Sequence, residues 1–334
     1  MTNSKITLLC LTLLISTLTT SFSLELCNPS DKKVLLQIQQ YYGKPEFLSS
    51  WSNDTDCCTD WFQVECDATS HRISSLTLFS GPLSGEISPL VGDLPFLTTL
   101  LFRHLTNISG PIPSTLAKLT NLNVVRLNFL NLTGPVPSFF SQLKQLTDLD
   151  LSFNQLSGSI PPSLSQLPNL GLLDLSRNQL TGSIPNSFGS FAQPGFTIDL
   201  SHNMLSGPIP SSLGNVQFLA LDFSRNQLIG DVSFLFGTNK ELNQFDLSRN
   251  MLSFNMSNLE FGSVLVLNRI DLNHNKIFGS LPKSLEDLPN LQFFNVSYNR
   301  LCGTIPTGGQ LSQFDKYSYI HNKCLCGSPL QSCT

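Results

Sequence analysis

The chain has 334 residues, of which 40% are hydrophobic and 13% are charged, and its formal net charge is −4. So large an apolar fraction with so little charge excludes an intrinsically disordered protein and predicts a chain that buries a large core. The mildly acidic balance disfavours a nucleic-acid-binding protein, which needs a basic surface.

The first 23 residues have the pattern of a secretory signal peptide. Lys5 precedes an apolar run over residues 6–18, and the small residues Ser21 and Ser23 offer a cleavage site. The run is too short for a membrane-spanning helix, and no later stretch reaches the ~18 apolar residues that one requires. We therefore expect residues 1–23 to be removed and a secreted mature chain to begin near Leu24.

Residues 24–72 are predicted to form an N-terminal cap that begins with a helix. In the segment DKKVLLQIQQYY the apolar residues recur at helical spacing, and the segment stops before Gly43 and Pro45. The predicted apolar face consists of Val34, Leu35, Ile38, Tyr41 and Tyr42. The following segment, DCCTDWFQVEC, is expected to place cysteines and Trp61 under the first repeat.

Residues 73–301 consist of ten repeats of the form LxxLxLxxNxLxGxIP. The repeat glycines follow one another at steps of 23–25 residues, and in one unit Phe254 stands in place of the glycine. This period is typical of a leucine-rich-repeat solenoid, in which single repeats cannot bury their leucines and stacking creates the core. We therefore predict an α/β solenoid of about ten plant-type repeats, a curved right-handed coil with a parallel concave sheet.

Each position of the repeat has a predicted role. The LxL segment is a short strand whose two apolar residues point inward, which leaves the residue between them on the concave surface. The Asn that follows turns the chain, and its amide can bond backbone groups of the neighbouring turn. Glycine permits a bend, and the Pro after Ile ends a strand or opens a short helical turn.

The concave strands carry two columns of charged residues. Between the apolar strand positions lie six successive aspartates, which we call the acidic column and expect to be about 4.8 Å apart: Asp150, Asp174, Asp199, Asp222, Asp246 and Asp271. They are either part of the repeat consensus or an acidic strip that faces a partner, because like charges in adjacent strands are destabilising without compensation or use. Three positions further on lie Arg177, His202, Arg225, Arg249 and His274, which either neutralise the aspartates or bind a polyanion such as de-esterified pectin.

No motif in the sequence predicts catalysis or a cofactor. The nucleophile elbow, the phosphate-binding loop and the zinc-protease motif are all absent from the sequence. His202 and His274 share a column but should lie about 14 Å apart, too far for one metal ion. We predict a binding protein that is not an enzyme and holds no metal.

Residues 302–334 are predicted to form a C-terminal cap that is rich in cysteines and contains Phe314, Tyr317 and Tyr319. The mature chain has eight cysteines, four at each end, and such an even set in a secreted protein predicts disulfides that close the two ends. Their order cannot be derived from sequence, but adjacent pairing is the most economical: Cys27–Cys57, Cys58–Cys66, Cys302–Cys324 and Cys326–Cys333. Sequons predict glycosylation at Asn53, Asn107, Asn131, Asn255 and Asn295.

Several segments together resemble the polygalacturonase-inhibiting proteins of plants. They are DKKVLLQIQ, LSSWSNDTDCC, GDLPFLTTLLFRHLTNISGPIP and FFNVSYNRLCGTIPTGGQLSQFDKYSYIHNKCLCGSPL, and the similarity extends over the whole mature chain. The resemblance implies an inhibitor of fungal or insect polygalacturonases in the apoplast and cell wall. It also implies the adjacent disulfide pairing given above.

The resemblance further assigns roles to individual positions. Of the aspartates in the family's acidic pocket, two match Asp150 and Asp222, and Ser176 stands at a third position. The family's basic pectin-binding cluster matches Arg225 and Arg249, with His202 and Asn273 at its other two positions. The positions linked to enzyme choice are Gly171, Asn243 and Gln292, and these differ from the residues of the family member in which that link was made.

Two alternative functions remain open at this point. The segments GDVSFLFG and LSFN are also similar to the carrot antifreeze protein, although the Asp, Arg and Phe side chains of the concave face break the regular surface that ice binding needs. A soluble partner of a receptor kinase is the other alternative, because plant receptor ectodomains share the repeat.

Overall fold

The computed structural model describes residues 26–237, 242–261 and 266–333. The predicted signal peptide, residues 1–23, lies outside the described residues. Within the described ranges, no helix has the length and apolar character needed to cross a membrane.

Helix α1, Pro29–Tyr41, begins the described chain. The side chain of Asn28 caps it by accepting hydrogen bonds from two backbone N–H groups of the first turn. Leu35 and Ile38 are fully buried, as predicted. The assignment of Tyr41 to the buried face is wrong, since its side chain is 46% exposed. At about 100° per residue, Tyr41 lies about 120° around the helix from Leu35, whereas Tyr42 lies within about 20° of it.

The concave face is an eleven-stranded sheet in which each repeat contributes one strand. Its first two strands are antiparallel, and all later neighbours are parallel and in register apart from a shift between Phe196 and Thr197. The strands are β1 (Val64–Cys66), β2 (Ile73–Phe79), β4 (Thr99–Arg103), β6 (Val124–Asn128), β8 (Asp148–Asp150), β10 (Leu172–Asp174), β12 (Phe196–Asp199), β14 (Phe218–Asp222), β16 (Gln244–Asp246), β18 (Arg269–Asp271) and β20 (Phe293–Asn295).

A second row of strands, which the sequence analysis did not predict, follows the asparagine turn of each repeat. Eight of these strands form a second parallel sheet: β3 (Ser84–Glu86), β5 (Asn107–Gly110), β7 (Asn131–Pro135), β9 (Gln155–Ser159), β11 (Gln179–Gly182), β13 (Met204–Pro208), β15 (Gln227–Gly230) and β17 (Met251–Leu252). Three more form a short sheet at the C-terminal end: β19 (Phe278–Gly279), β21 (Arg300–Thr304) and β22 (Cys324–Cys326).

Short 3₁₀ turns form the side of the coil opposite the concave sheet. In most repeats the turn begins directly after the proline of the motif, which confirms that this proline opens a helical turn. The turns are Glu46–Leu48, Pro89–Asp93, Ser114–Lys118, Ser138–Gln142, Pro162–Gln166, Asn186–Ser190, Ser211–Asn215, Ser233–Leu235, Met256–Asn258, Lys283–Asp287 and Gly309–Gln313. A further 3₁₀ turn, Lys316–Ser318, lies in the C-terminal cap beside β20.

The asparagine column holds successive repeats together. The Nδ2 group of Asn178 donates to the carbonyl oxygens of Leu151, Leu175 and Ser176 at 3.0–3.1 Å, and its Oδ1 accepts from the N–H of Leu156 at 2.9 Å. The amide thereby joins backbone groups of its own repeat to those of the repeat before it. The same pattern recurs at Asn154, Asn203, Asn226, Asn250, Asn275 and Asn299.

Disulfides close both ends of the solenoid. They join Cys27 to Cys57, Cys58 to Cys66, Cys302 to Cys324 and Cys326 to Cys333. At the N-terminal end, the indole rings of Trp51 and Trp61 stack with centroids 5.6 Å apart. At the C-terminal end, Tyr319 is fully buried, whereas Tyr317 is 62% exposed. The two caps thus cover the ends of a core that would otherwise be open to water.

Candidate functional site

The acidic column is a continuous feature of the concave face. In the register of the sheet, Asp150 pairs with Asp174, and each later aspartate pairs with the next up to Asp271. The column begins beside Arg126 and ends beside Asn295, which occupy the equivalent positions of the flanking strands. The parallel sheet therefore brings together six carboxyl groups that are about 24 residues apart in sequence.

Each aspartate of the column also has a structural role. Its Oδ1 accepts a hydrogen bond from the backbone N–H two residues later, as when Asp222 accepts from Ser224 at 2.8 Å. Asn295 accepts from the N–H of Ser297 in the same way at 3.0 Å. An amide can therefore hold this turn as well as a carboxylate, so the turn alone does not require the negative charge.

Arginines pair with acids near both ends of the acidic column. Arg126 forms an ion pair with Asp148 at 2.6 Å, and Arg269 contacts Asp246 at 3.2 Å and Asp271 at 3.1 Å. The sequence analysis did not identify these two arginines as functional residues. Their positions on strands next to the aspartates could have indicated that they pair with acids. Among the residues that the structure describes, no ion pair reaches the remaining aspartates of the column: Asp150, Asp174, Asp199 and Asp222.

Burial raises the pKa of several of these carboxyl groups. For Asp199, loss of hydration is the largest cause and the carboxylates of Asp222 and Asp174 are the next, which together raise its pKa to about 7. The pKa values of Asp174 and Asp271 are raised to about 6, again chiefly by burial. Burial also raises the pKa of Asp222. The column thus holds protons at pH values where an ordinary carboxyl group is ionised.

A recess of about 210 Å³ lies in the concave face around Asp222. Asp199, Asp222 and Asp246 line it together with Arg269, and the small side chain of Ala220 leaves the space open. This recess is where the unneutralised part of the acidic column approaches its last arginine. A cationic side chain of a partner would find its complement here.

A second column, which we call the ridge, runs along the edge of the concave face. All of its residues have φ between +52° and +56°, a strained conformation for residues other than glycine. The backbone N–H of Arg177 donates to Ser201 in the next repeat at 2.9 Å, and equivalent bonds at other repeats help to hold this conformation. The ridge consists of His104, Phe129, Phe153, Arg177, His202, Arg225, Arg249, His274 and Tyr298.

The ridge is aromatic at its ends and cationic in its middle. The rings of Phe129 and Phe153 stack with centroids 3.8 Å apart, and the guanidinium of Arg177 lies 4.8 Å from the centroid of Phe153. At the other end His274 stacks on Tyr298 at 4.1 Å. The sequence analysis identified the cations and missed the aromatic continuation, which the identical left-handed backbone conformation reveals.

The arginines of the ridge do not form direct ion pairs with the acidic column. Within residues 26–237, 242–261 and 266–333, no ion pair joins Arg177, Arg225 or Arg249 to an aspartate of the column. Their side chains are exposed at the edge of the face. These three arginines therefore remain available to an anionic partner.

The two histidines in the cationic part of the ridge have lowered pKa values. Burial is the largest cause for both, followed by repulsion from neighbouring arginines. Arg177 and Arg225 have this effect on His202, and Arg249 and Arg225 have it on His274. Acidification below the usual histidine range thus adds charge to the ridge while it removes charge from the acidic column.

We expect the raised pKa of Asp199 to make stability depend on pH. Between pH 3.8 and about 7 the folded state holds a proton that the unfolded state has released, so the free energy of unfolding falls as pH rises. Asp199→Asn keeps the acceptor oxygen and removes the titration. At pH 8 it should therefore be more stable than wild type by about 2–4 kcal/mol, at about 1.36 kcal/mol per pKa unit.

Urea unfolding at pH 4 and pH 8 measures this effect. The two proteins share all other titrating groups, including the ridge histidines, so the difference between them reports Asp199 together with its coupling to Asp174 and Asp222. We expect equal stabilities at pH 4. An advantage of the variant that is the same at both pH values would contradict the prediction.

The positions that the resemblance links to enzyme choice lie beside the strands of the concave sheet. Gly171, Asn243 and Gln292 each precede a strand and donate a backbone N–H to the preceding repeat at 2.8 Å. The side chain of Gln292 is exposed and that of Asn243 is half-buried. Ser176, in contrast, is only 4% exposed, so its side chain is not available to a partner.

The five predicted glycosylation sites differ in their environments. Asn53, Asn107 and Asn255 are exposed, whereas Asn131 and Asn295 are half-buried. The Nδ2 group of Asn131 donates to the carbonyl oxygen of Thr106, and the Oδ1 of Asn295 accepts from Ser297 within the concave sheet. The three exposed asparagines can therefore carry glycans without disturbing the hydrogen bonds of Asn131 and Asn295.

Comparisons with known proteins agree with this architecture. Family models described as leucine rich repeat match residues 120–180, 196–216, 266–288 and 290–310. A model described as a leucine rich repeat N-terminal domain matches residues 28–67, which include helix α1 and three cysteines of the cap, Cys57, Cys58 and Cys66. The repeats and the N-terminal cap are thus recognised separately.

Relatives extend over nearly the whole chain. Polygalacturonase inhibitor 1 of Arabidopsis thaliana is 61% identical over 331 residues, which cover 98% of this chain and 99% of that protein. The polygalacturonase inhibitor of Pyrus communis is 60% identical and covers 98% of both chains. The crystal structure of a plant ice-binding protein is 52% identical, covers 92% of this chain and 98% of its own, and superposes with a TM-score of 0.89. The chain therefore belongs to the polygalacturonase inhibitor family, whose members are leucine-rich-repeat binding proteins and not enzymes.

Proposed function

We propose that this protein is a secreted defence protein of the plant cell wall that binds and inhibits fungal or insect polygalacturonases through its concave face. Its family membership supports the inhibitor role, and the signal-peptide pattern of residues 1–23 supports secretion. The four disulfides are in keeping with an oxidising, extracellular setting.

The observation that carries the proposal is the stretch of the acidic column without arginine partners. An enzyme that cuts a polyanionic substrate needs cationic side chains in its cleft, and an acidic surface complements such a cleft. Asp150, Asp174, Asp199 and Asp222 are held in register by the sheet, so the surface is formed before the partner arrives. Little conformational entropy is then lost on binding.

The experiment that tests this function is an inhibition assay with the purified protein. The activity of a panel of fungal and insect polygalacturonases on polygalacturonate is measured with and without it. We expect stoichiometric inhibition of at least one enzyme, weakened by added salt because exposed charges are screened. Absence of inhibition across the panel would contradict the proposal.

The cationic part of the ridge is proposed to bind pectin. Arg225 and Arg249 are exposed on adjacent repeats, so their guanidinium groups can meet successive carboxylates of a uronate chain. We expect Arg225→Gln with Arg249→Gln to lower retention on immobilised polygalacturonate by about fivefold or more, from roughly 0.5 kcal/mol per exposed pair.

A charge-matched control accompanies this experiment. Lys276→Gln with Lys283→Gln removes the same two charges from exposed positions outside the ridge. If retention depends on the ridge, this control retains wild-type binding at every salt concentration. Equal losses for both double variants would show that only the net charge matters.

Ice binding is the second candidate function, and the 52% identical plant ice-binding protein favours it. It ranks second because the ridge and the acidic column give the concave face an irregular, charged surface, and because the inhibitor relatives are more similar. An ice-recrystallisation assay decides between them. Activity in that assay together with no inhibition of polygalacturonases would reverse the order.

A further inference from the structure

A lysine-lined groove on the N-terminal cap is separate from the concave face. It has a volume of about 550 Å³ and follows the exposed side of helix α1 as far as the loop that contains Asn53. Three lysines line it, and none of its lining residues is acidic: Pro29, Lys32, Lys33, Leu36, Gln37, Gln39, Gln40, Lys44 and Asn53. The groove is therefore positively charged, although the chain as a whole has a net charge of −4.

The groove has a rigid floor and wall. Lys32 is 91% buried, and its Nζ donates to the carbonyl oxygen of Asn53 at 2.8 Å. The amide of Gln39 donates to the carbonyl oxygens of Leu48 and Trp51 at 2.8 and 3.0 Å. These bonds join helix α1 to the following loop, so the groove is formed before any ligand binds.

Two of the three lysines of the groove face solvent. Lys33 and Lys44 are exposed, and neither forms an ion pair with another residue of the described ranges. The acid of helix α1, Asp31, is 1% exposed and engaged by Arg72 at 2.7 Å, so it does not compensate them. The exposed amides of Gln37 and Gln40 lie between the two lysines along the helix.

We propose that this groove binds a carboxylated oligosaccharide, the chemistry of de-esterified pectin. Ammonium groups complement the uronate carboxylates, and the glutamine amides can donate to and accept from sugar hydroxyl groups. Lys33 lies near the beginning of a 13-residue helix and Lys44 just beyond its end, so the groove spans about 20 Å. A chain of several acidic sugars can reach both lysines, whereas a monosaccharide cannot.

The position of the groove allows binding at the same time as inhibition. Helix α1 packs against the 3₁₀ turn Pro89–Asp93, and the hydroxyl of Tyr42 accepts from the N–H of Ser88 at 3.1 Å. These contacts place the helix on the side of the turns, away from the acidic column. The inference rests on the proposed pectin-rich setting, and it gives the inhibitor an anchor that an enzyme on the concave face leaves free.

The test measures binding of oligogalacturonate to the full-length secreted protein at low and high salt. The Lys33→Gln and Lys44→Gln substitutions are introduced into a protein that already carries Arg225→Gln and Arg249→Gln. In this background the ridge no longer contributes to binding. We expect the added pair to lower the remaining affinity by about fivefold, from roughly 0.5 kcal/mol per exposed pair. Galacturonic acid and a neutral oligosaccharide should bind to neither protein.

The outcomes separate this inference from the proposed function. Unchanged affinity on adding Lys33→Gln and Lys44→Gln would overturn the groove and leave the ridge and the inhibition assay intact. The control pair Lys276→Gln and Lys283→Gln must have no effect in the same background. Binding that appears only in an Asn53→Gln protein would show that the protein's own glycan fills the groove, which would also overturn the inference.

Discussion

Replacing Asp222 with lysine is expected to weaken inhibition of a susceptible polygalacturonase at least tenfold, or about 1.4 kcal/mol. Asp222 lies between Asp199 and Asp246 in the register of the sheet and lines the recess in the concave face. A lysine there places a positive charge against the cationic cleft of the enzyme, and like charges across an interface are strongly unfavourable. The inhibition constant, measured at several salt concentrations, gives the effect.

Two further variants separate the charge of Asp222 from its role in the turn. Asp222→Asn keeps the acceptor for the N–H of Ser224, as Asn295 does naturally, and should lose inhibition without a loss of stability. Asp287→Lys makes the same charge change as Asp222→Lys on the exposed end of the turn Lys283–Asp287. Equal losses for Asp222→Lys and Asp287→Lys would mean that the acidic column is only part of the scaffold.

The largest expected loss of stability comes from the asparagine column. Asn226→Ala removes three hydrogen bonds to the carbonyl oxygens of Leu200, Phe223 and Ser224 and one from the N–H of Leu205. The three carbonyl oxygens each keep another donor, from Asn203, Asn250 and the N–H of His202, whereas the N–H of Leu205 loses its acceptor. We therefore expect the free energy of unfolding to fall by about 1–3 kcal/mol, the cost of one unsatisfied buried group.

Asn215→Ala is the matched control for this variant. It also replaces an asparagine with alanine, but Asn215 is exposed at the end of the 3₁₀ turn Ser211–Asn215 and lies outside the asparagine column. Urea denaturation should show a change of less than about 0.5 kcal/mol for Asn215→Ala. A similarly small change for Asn226→Ala would contradict the role that the structure gives to the asparagine column.

The titration of the concave face links its two columns. As pH falls, protonation of Asp199 and Asp174 removes negative charge, while His202 and His274 gain positive charge. A bound cationic enzyme opposes the protonation of Asp199 and Asp174, because its positive charge stabilises the ionised carboxylates. Its binding near pH 6 should therefore release protons, which calorimetry in buffers of different ionisation enthalpy detects.

Much of this architecture follows from sequence periodicity alone. A repeat of about 24 residues specifies which residues share a column, so the acidic column, the asparagine column and the glycine bends were all predictable from spacing. The periodicity also places the cysteines outside the repeats and indicates that they belong to caps. The second sheet was missed because its strands carry no alternating pattern of their own and form only when stacked repeats pair their backbones.

The sequence by itself determined the columns, the helix of the N-terminal cap and the family, because each depends on residue identity at a constant interval. Only the tertiary structure decided which aspartates remain without arginine partners, since Arg126 and Arg269 reach across strands to their acids. It also decided that Ser176 is buried, that the ridge continues into stacked aromatic rings, and that three lysines of the cap line one groove. Hydration and charge at a residue depend on neighbours that are distant in the chain, and spacing along the chain does not specify them.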